Sequence, residues 1–291
     1  MSTQVSIIFP QQLYKEQPAI TSDRPVYLVE EWHFFNQYQF HKEKLVLHRA
    51  SMKFYEQFLK EQGIVVHYIE SIEKHNRIEL LIESLQAKHI KHIHIVDPVD
   101  NWLLRKIKSS CDLLEIELTI YDSPNFLNTL NQVDTFFSKK KTYFQTDFYT
   151  WQRKSRNILL EKDGKPLGGK WTYDADNRSK FPKKELAPKI PSAPLNNYIN
   201  EAAIYIQNNY PNNYGLVNKD HLFVINFVDA EKWLEEFLQH RFEKFGIYED
   251  AIVAKESVLH HSILSPMLNI GLISPDHIVA CAITFSNKNN I

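Results

Sequence analysis

Cysteine is nearly absent. Cys111 and Cys281 are the two in 291 residues, they lie in different halves, and neither belongs to a CxxC pair. A disulfide-stapled miniprotein, a zinc ribbon and a locally coordinated iron–sulfur cluster are thereby excluded from this chain alone. Glycine is scarce as well, at seven residues. None falls in a GxGxxG or Walker A loop, and HExxH and GxSxG are also missing. Dinucleotide oxidoreductase, P-loop NTPase, zincin and α/β-hydrolase readings therefore lack their signatures. No apolar run approaches the roughly 18–20 residues of a spanning helix, and Met1 to Val5 does not open a basic-then-apolar leader. Together with a mean hydropathy of -0.38, this predicts a cytoplasmic, reduced protein with no membrane partner. With 43% hydrophobic and 24% charged residues, the chain has enough apolar material for a substantial core and two domains.

The first 125 or so residues alternate short β-branched runs with amphipathic segments. The runs are Val5 to Phe9, Val26 to Val29, Val65 to Ile69, His92 to Val96 and Glu115 to Tyr121. Leu45, His48, Met52, Tyr55 and Leu59 form one helical stripe, and Ile78, Leu81, Ile82 and Leu85 form another. The expected architecture is α/β, a five-stranded parallel doubly wound sheet whose ligands lie beyond the carboxyl ends of its strands. Asp134 to Leu160 reads as helical and aromatic. Lys162 to Tyr198 holds three of the seven glycines and five of the thirteen prolines, a long connector. Domain boundaries are expected near residues 130 and 198. Beyond them, Asp229 is the expected N-cap of a helix carrying Trp233, Leu234, Phe237, Leu238 and Phe242, and Ser274-Pro275 opens a last helix. So few helices predict an incomplete second domain.

The net charge of -1 hides a segregation. Residues 139–189 carry 14 basic and 6 acidic side chains, whereas the flanking regions are both acidic. Arg178, Lys180, Lys183 and Lys184 lie in this block, which is interleaved with aromatics. Basic residues attract phosphates and aromatics stack on unpaired bases, while a solvated charged face explains the same pattern without a ligand. Asp97 and the pair Glu30-Glu31 follow predicted strands at the ligand-binding end, where helix capping is the plainer alternative. His92 and His94 share a strand face and are taken as structural, so no metal site is expected.

Three segments carry a family resemblance. Gly168 to Arg178 (GGKWTYDADNR) resembles the GGxWNYDxxNR signature of prokaryotic photolyase-related proteins, and Phe245 to Ala251 (FGIYEDA) resembles that group's FGxYxDAM. His261 to Pro275 (HSILSPMLNIGLISP) is similar to the TSxLSPxLxxGxLSP flavin-phosphate segment of photolyases and cryptochromes. The stretches around Phe9 to Leu13 and Phe40 to Leu45 extend the likeness over essentially the whole chain. The resemblance is to the bacterial (6-4) photolyase-like, iron–sulfur branch of the cryptochrome/photolyase family.

That resemblance implies a light-dependent DNA repair flavoprotein. Residues 1–130 would be an antenna-chromophore domain, 131–198 a basic connector, and 199–291 the start of a helical FAD-binding domain. It implies FAD on Tyr248, His261, Ser262, Ile263, Leu264 and Ser265, and a ribityllumazine antenna on Gln11, Glu31 and Asp97. Damaged DNA would meet Arg178, Lys180, Lys183 and Lys184, and no protein partner is implied. The family's usual Gly-Asp-Gln-Leu is Pro10-Gln11-Gln12-Leu13 here, so an amide replaces an acidic antenna contact. The active-site histidine, the electron-transfer tryptophans and the four cluster cysteines would lie past Ile291. No catalytic residue, no iron–sulfur cluster and no repair turnover are therefore expected of this chain. A cryptochrome-like photosensor, or a non-enzymatic remnant with Trp233, Phe237 and Leu238 exposed, are the alternatives.

Overall fold

The computed structural model describes residues 2–217 and 223–291. Five strands form one sheet: β1 (Gln4–Ile8), β2 (Val26–Val29), β3 (Val66–Ile69), β4 (His92–Val96) and β5 (Glu117–Tyr121). All pairs are parallel, in the order β3-β2-β1-β4-β5, with Ser6 opposite Val26 on one side and His94 on the other. The order reverses between β1 and β4, which is the switch point where such sheets open a crevice.

The helices that cover the sheet follow from the apolar stripes. Between β2 and β3 come α1 (Trp32–Phe35) and α2 (Lys42–Glu61). In α2, Leu45, His48, Met52, Tyr55 and Leu59 are all buried. Next come α3 (Ile78–Ala87) and α4 (Asn101–Leu113), which join Val5, Ile7, Phe9, Val29, Ile93 and Ile95 in one core. Each of the four buried stripe residues of α3 contributes about 1.5–3 kcal/mol of apolar burial.

After β5 the chain forms α5 (Leu130–Phe137) and α6 (Gln145–Ser155). The aromatic stretch expected as one helical span is thus two helices. The break falls at the Lys139-Lys140-Lys141 run, where like charges at successive positions give a helix no support. Five further helices follow: α7 (Asn197–Asn209), α8 (Phe227–His240), α9 (Phe242–Tyr248), α10 (Ser265–Ile270) and α11 (Pro275–Asn289). Asp229 is not the cap of α8. Asn226 accepts from the Asp229 N–H at 2.8 Å, so Asp229 lies inside the first turn. Phe242 begins a separate helix. Ser274 does cap α11, accepting from His277 N–H, with Pro275 at the first position. Trp233, Phe237 and Leu238 are buried, which removes the exposed apolar stub that the remnant alternative required.

The chain divides into two compact units. One gathers Met1–Leu127, Pro191–Glu235 and Ile263–Asn290; the other gathers Asn128–Ile190 and Glu236–Ser262, with Ile291. In the first, α7 lies along α2, and a buried arginine explains why. The Arg49 guanidinium, 2% exposed, binds Glu30 at 2.9 Å, Glu70 at 3.0 Å and Glu201 of α7 at 2.6 Å. Its carbon centre sits 3.3 Å from the Tyr205 ring centroid. Glu30 also accepts from the Tyr68 hydroxyl and the Ser71 N–H. It is therefore a structural anchor, and burial pushes its carboxyl above the usual range. In the same unit, Leu13 N–H donates to Ile270 O at 2.9 Å. Gly271, with φ of 87°, passes so close to Tyr14 that a Cβ would lie 2.8 Å from the ring. Only glycine satisfies both demands, which accounts for the glycine in that motif.

Candidate functional site at the sheet switch point

The turn after β1 faces the turn after β4, and amide side chains stitch them together. Gln11 Nε2 donates to Pro98 O at 3.2 Å. Gln12, 1% exposed, donates from Nε2 to Val96 O at 3.0 Å and Asp97 O at 3.1 Å. Two carbonyls around one nitrogen fix the orientation of that amide, so its oxygen points elsewhere. Asn125, in the loop after β5, donates from Nδ2 to Gln11 O at 3.4 Å, and Tyr14 bonds Ser123 at 3.1 Å. Burial lifts the Tyr14 hydroxyl to about 12, with the Asp97 charge adding to the rise.

This stitching leaves acceptors over. Gln11 Oε1, Gln12 Oε1, Asn125 Oδ1 and, at the end of β2, Glu31 Oε1 are buried acceptors with no donor. Buried polar atoms are nearly always paired, and leaving one unpaired costs about 1–3 kcal/mol. His48 Nδ1 and Ser51 Oγ of α2 are also buried and unpartnered, but the four oxygens that follow β1, β2 and β5 can only accept, which suits a ligand rich in N–H and O–H groups.

The other Glu31 oxygen caps α1, accepting from His33 N–H and from His33 Nδ1 at 3.0 Å. That bond raises the His33 pKa; burial and Lys106 oppose it, while the Glu31 and Asp100 charges add to it. Beneath the turn, His48 faces the Pro10 carbonyl and the Phe34 and Phe35 rings, and burial depresses its pKa to about 3. It is a neutral imidazole. Asp97 Oδ1 accepts from Val99 N–H at 2.8 Å. Val99 holds a φ of 62°, uncommon for a β-branched residue and a recurrent feature of ligand-binding turns. Asp100 then caps α4 by accepting from Leu103 N–H.

The sequence-derived antenna residues Gln11, Glu31 and Asp97 thus stand at the same end of the sheet, after the neighbouring strands β1, β2 and β4. Gln11 and Glu31 each present an orphaned oxygen, whereas Asp97 has one oxygen engaged in shaping the turn. Gln12, Asn125, His33 and His48 were not singled out from sequence. Gln12 could have been found as the neighbour of Gln11, but only the fold brings Asn125 back to the β1 turn. His92 and His94 stack at 4.0 Å and take part in a polar network. His92 bonds Thr119, and His94 bonds Arg24, Gln4 and Tyr121.

The six flavin-segment residues are shared between the units. In the second unit, Tyr248 is 8% exposed and packs on Phe181 at 5.3 Å and His260 at 5.7 Å. His261 uses both ring nitrogens locally: Nε2–H donates to Glu249 O at 2.9 Å, and Nδ1 accepts from Leu259 N–H at 3.3 Å. Ser262 closes that stretch of the second unit. In the first unit, Ile263 holds a left-handed φ of 56°. Leu264 is buried at the N-cap position of α10, where no side chain caps the helix, and Ser265 is exposed at its first residue. His261 therefore does not fit as a donor to a flavin phosphate. The Ser265 hydroxyl is a donor that remains exposed.

The four proposed nucleic-acid residues all belong to the second unit and are exposed. Arg178 lies between Asp174 at 3.8 Å and Asp250 at 3.6 Å. Lys180, Lys183 and Lys184 have no carboxylate partner among the described residues. No described helix is long and apolar enough to cross a membrane.

Comparison with known proteins places these features in a lineage. An uncharacterized protein of Acanthamoeba polyphaga mimivirus is 31% identical over 192 residues, covering 62% of this chain and 96% of that protein. A (6-4) photolyase of Agrobacterium fabrum is 24% identical over 240 residues, 80% of this chain and 46% of the photolyase. The chain thus spans about half the length of that bacterial enzyme. The family model for deoxyribodipyrimidine photo-lyase-related protein matches residues 6–245, and with a match of that extent the chain belongs to the photolyase-related family.

Proposed function

We propose that this protein serves light-dependent DNA repair as a photolyase-related flavoprotein whose first unit collects light through a ribityllumazine antenna at the β1/β4 crevice. The observation that carries the reading is the set of four buried, donorless oxygens on Gln11, Gln12, Asn125 and Glu31. A ribityl chain and a pteridine-like ring supply hydroxyl and N–H donors for such acceptors. When bound, the pigment would supply absorption of near-ultraviolet and blue light. The residues of this chain hold it: the amides orient donors, Glu31 accepts opposite His33, and neutral His48 underlies the turn without placing a charge there. An amide at Gln11 in place of a carboxylate favours a neutral ligand edge.

FAD enters the reading through family membership, with the exposed Ser265 as a hydroxyl donor and His261 engaged locally. Damaged DNA is the proposed partner of Arg178, Lys180, Lys183 and Lys184. No step of lesion chemistry is assigned to this chain.

The test is a fluorescence titration of a ribityllumazine with the whole chain and with Gln12→Leu, whose folding is checked by circular dichroism. The expected result is saturable binding weakened at least tenfold in the variant. Equal binding by both proteins would refute the assignment of the crevice.

A further inference from the structure

We infer that α5, α6 and the Trp171 segment of the second unit form a platform for an unpaired nucleic-acid strand. The inference rests on the nucleic-acid part of the reading above and is independent of pigment and flavin. The arm is built on an aromatic base. Phe136 of α5 meets Phe148 at 5.2 Å and Trp151 at 5.0 Å, both on α6, and Phe137 meets Phe148 at 5.1 Å and Tyr143 at 5.2 Å. The helices turn these rings toward each other in a half-buried aromatic cluster.

The ground for the inference is what that base holds outward. Tyr143 is 79% exposed and Phe144 61%, and Thr142 alone separates them from the Lys139 to Lys141 run. On the far side of α6, the buried Arg153 donates to the carbonyls of Lys170 at 3.3 Å and Trp171 at 3.0 Å. Trp171 is thereby fixed beside α6, with Lys154 Nζ 4.9 Å from its ring. Lys139, Lys141 and Lys154 are exposed and have no carboxylate partner among the described residues, whereas Lys140 pairs with Asp147 and Lys170 with Asp176. The arm therefore combines unneutralised cations with the exposed rings of Tyr143 and Phe144.

A duplex offers phosphates but keeps its base faces stacked, so it uses only the lysines. An unpaired strand uses both, its bases stacking on exposed rings and its phosphates on the cations. An anionic membrane would instead call for an apolar helical face turned outward, and here the apolar faces of α5 and α6 are engaged with one another.

The experiment measures the anisotropy of a labelled oligothymidylate and of a duplex of equal phosphate content against the full chain, in the dark, across a salt series. The single strand is expected to bind more tightly. Lys139→Gln with Lys141→Gln should lower the salt slope by about 1.4, since each phosphate neutralised on a single strand contributes about 0.7. Tyr143→Ala with Phe144→Ala should weaken binding about thirtyfold or more and leave the slope unchanged. All four positions are exposed, so each variant is expected to keep the wild-type circular dichroism spectrum. Duplex binding as tight as single-strand binding, no effect of the aromatic pair, or equal competition by anionic lipid vesicles would overturn the platform. A lesion-bearing duplex that binds while the oligothymidylate does not overturns the platform alone and leaves the DNA reading in place.

Discussion

At the scale of residues, the sheet's carboxyl end holds buried acceptors that the protein itself leaves without a donor. Gln12 illustrates the logic: its nitrogen closes the gap between two turns, and its oxygen is left facing inward with no donor. Two nearby histidines give the same region opposing responses to pH. His33 has a raised pKa, so its stabilising contribution is complete below the ordinary histidine value and fades as pH rises through the raised one. His48 is depressed to about 3. Between the ordinary value of about 6.5 and that figure, the unfolded chain takes up a proton that the folded chain refuses. Stability then falls with falling pH, by about 1.4 kcal/mol per unit for this one group. His48→Leu is expected to flatten that acid limb, read as the denaturant midpoint from pH 7 to about 5. An unchanged limb would show that His48 is protonated in the native protein.

At the scale of elements, the central strands β1, β2 and β4 were legible because parallel strands buried on both faces read as β-branched runs. Observed and expected boundaries differ by two residues at most, as at β5, which starts at Glu117 rather than Glu115. The α2 and α3 stripes are buried as their spacing required. The break between α5 and α6 and the true cap of α8 were missed. Both turn on local competition, a lysine run within an aromatic pattern and Asn226 placed three residues before Asp229. Arg49 was invisible as an anchor, since its acids come from β2, the end of β3 and α7. Arg49→Met leaves Glu30 buried without its cation and is expected to destabilise the first unit by about 3–5 kcal/mol in chemical denaturation. Adding Glu30→Gln should recover a good part of that loss. A loss below about 1 kcal/mol would mean that apolar contacts alone hold α7 on α2.

At the scale of the whole molecule, the two units interleave along the chain, with Pro191–Glu235 and Ile263–Asn290 returning to the unit that holds the sheet. No periodicity in the sequence reports such a return. It depends on side-chain complementarity, such as Arg49 with Glu201 and Gly271 with Tyr14, between residues far apart in the chain. The candidate site was legible to the same extent. Gln11, Glu31 and Asp97 could be named because strand ends bind ligands in α/β sheets, whereas Asn125 joins them only once β5 is in place. The donorless oxygens of the switch point are proposed to hold an antenna pigment. The most direct measurement is the near-ultraviolet and blue absorbance of the purified chain, followed by denaturation and identification of whatever is released. A released ribityllumazine is the predicted result. A colourless chain that takes up no ribityllumazine when it is supplied would contradict the claim.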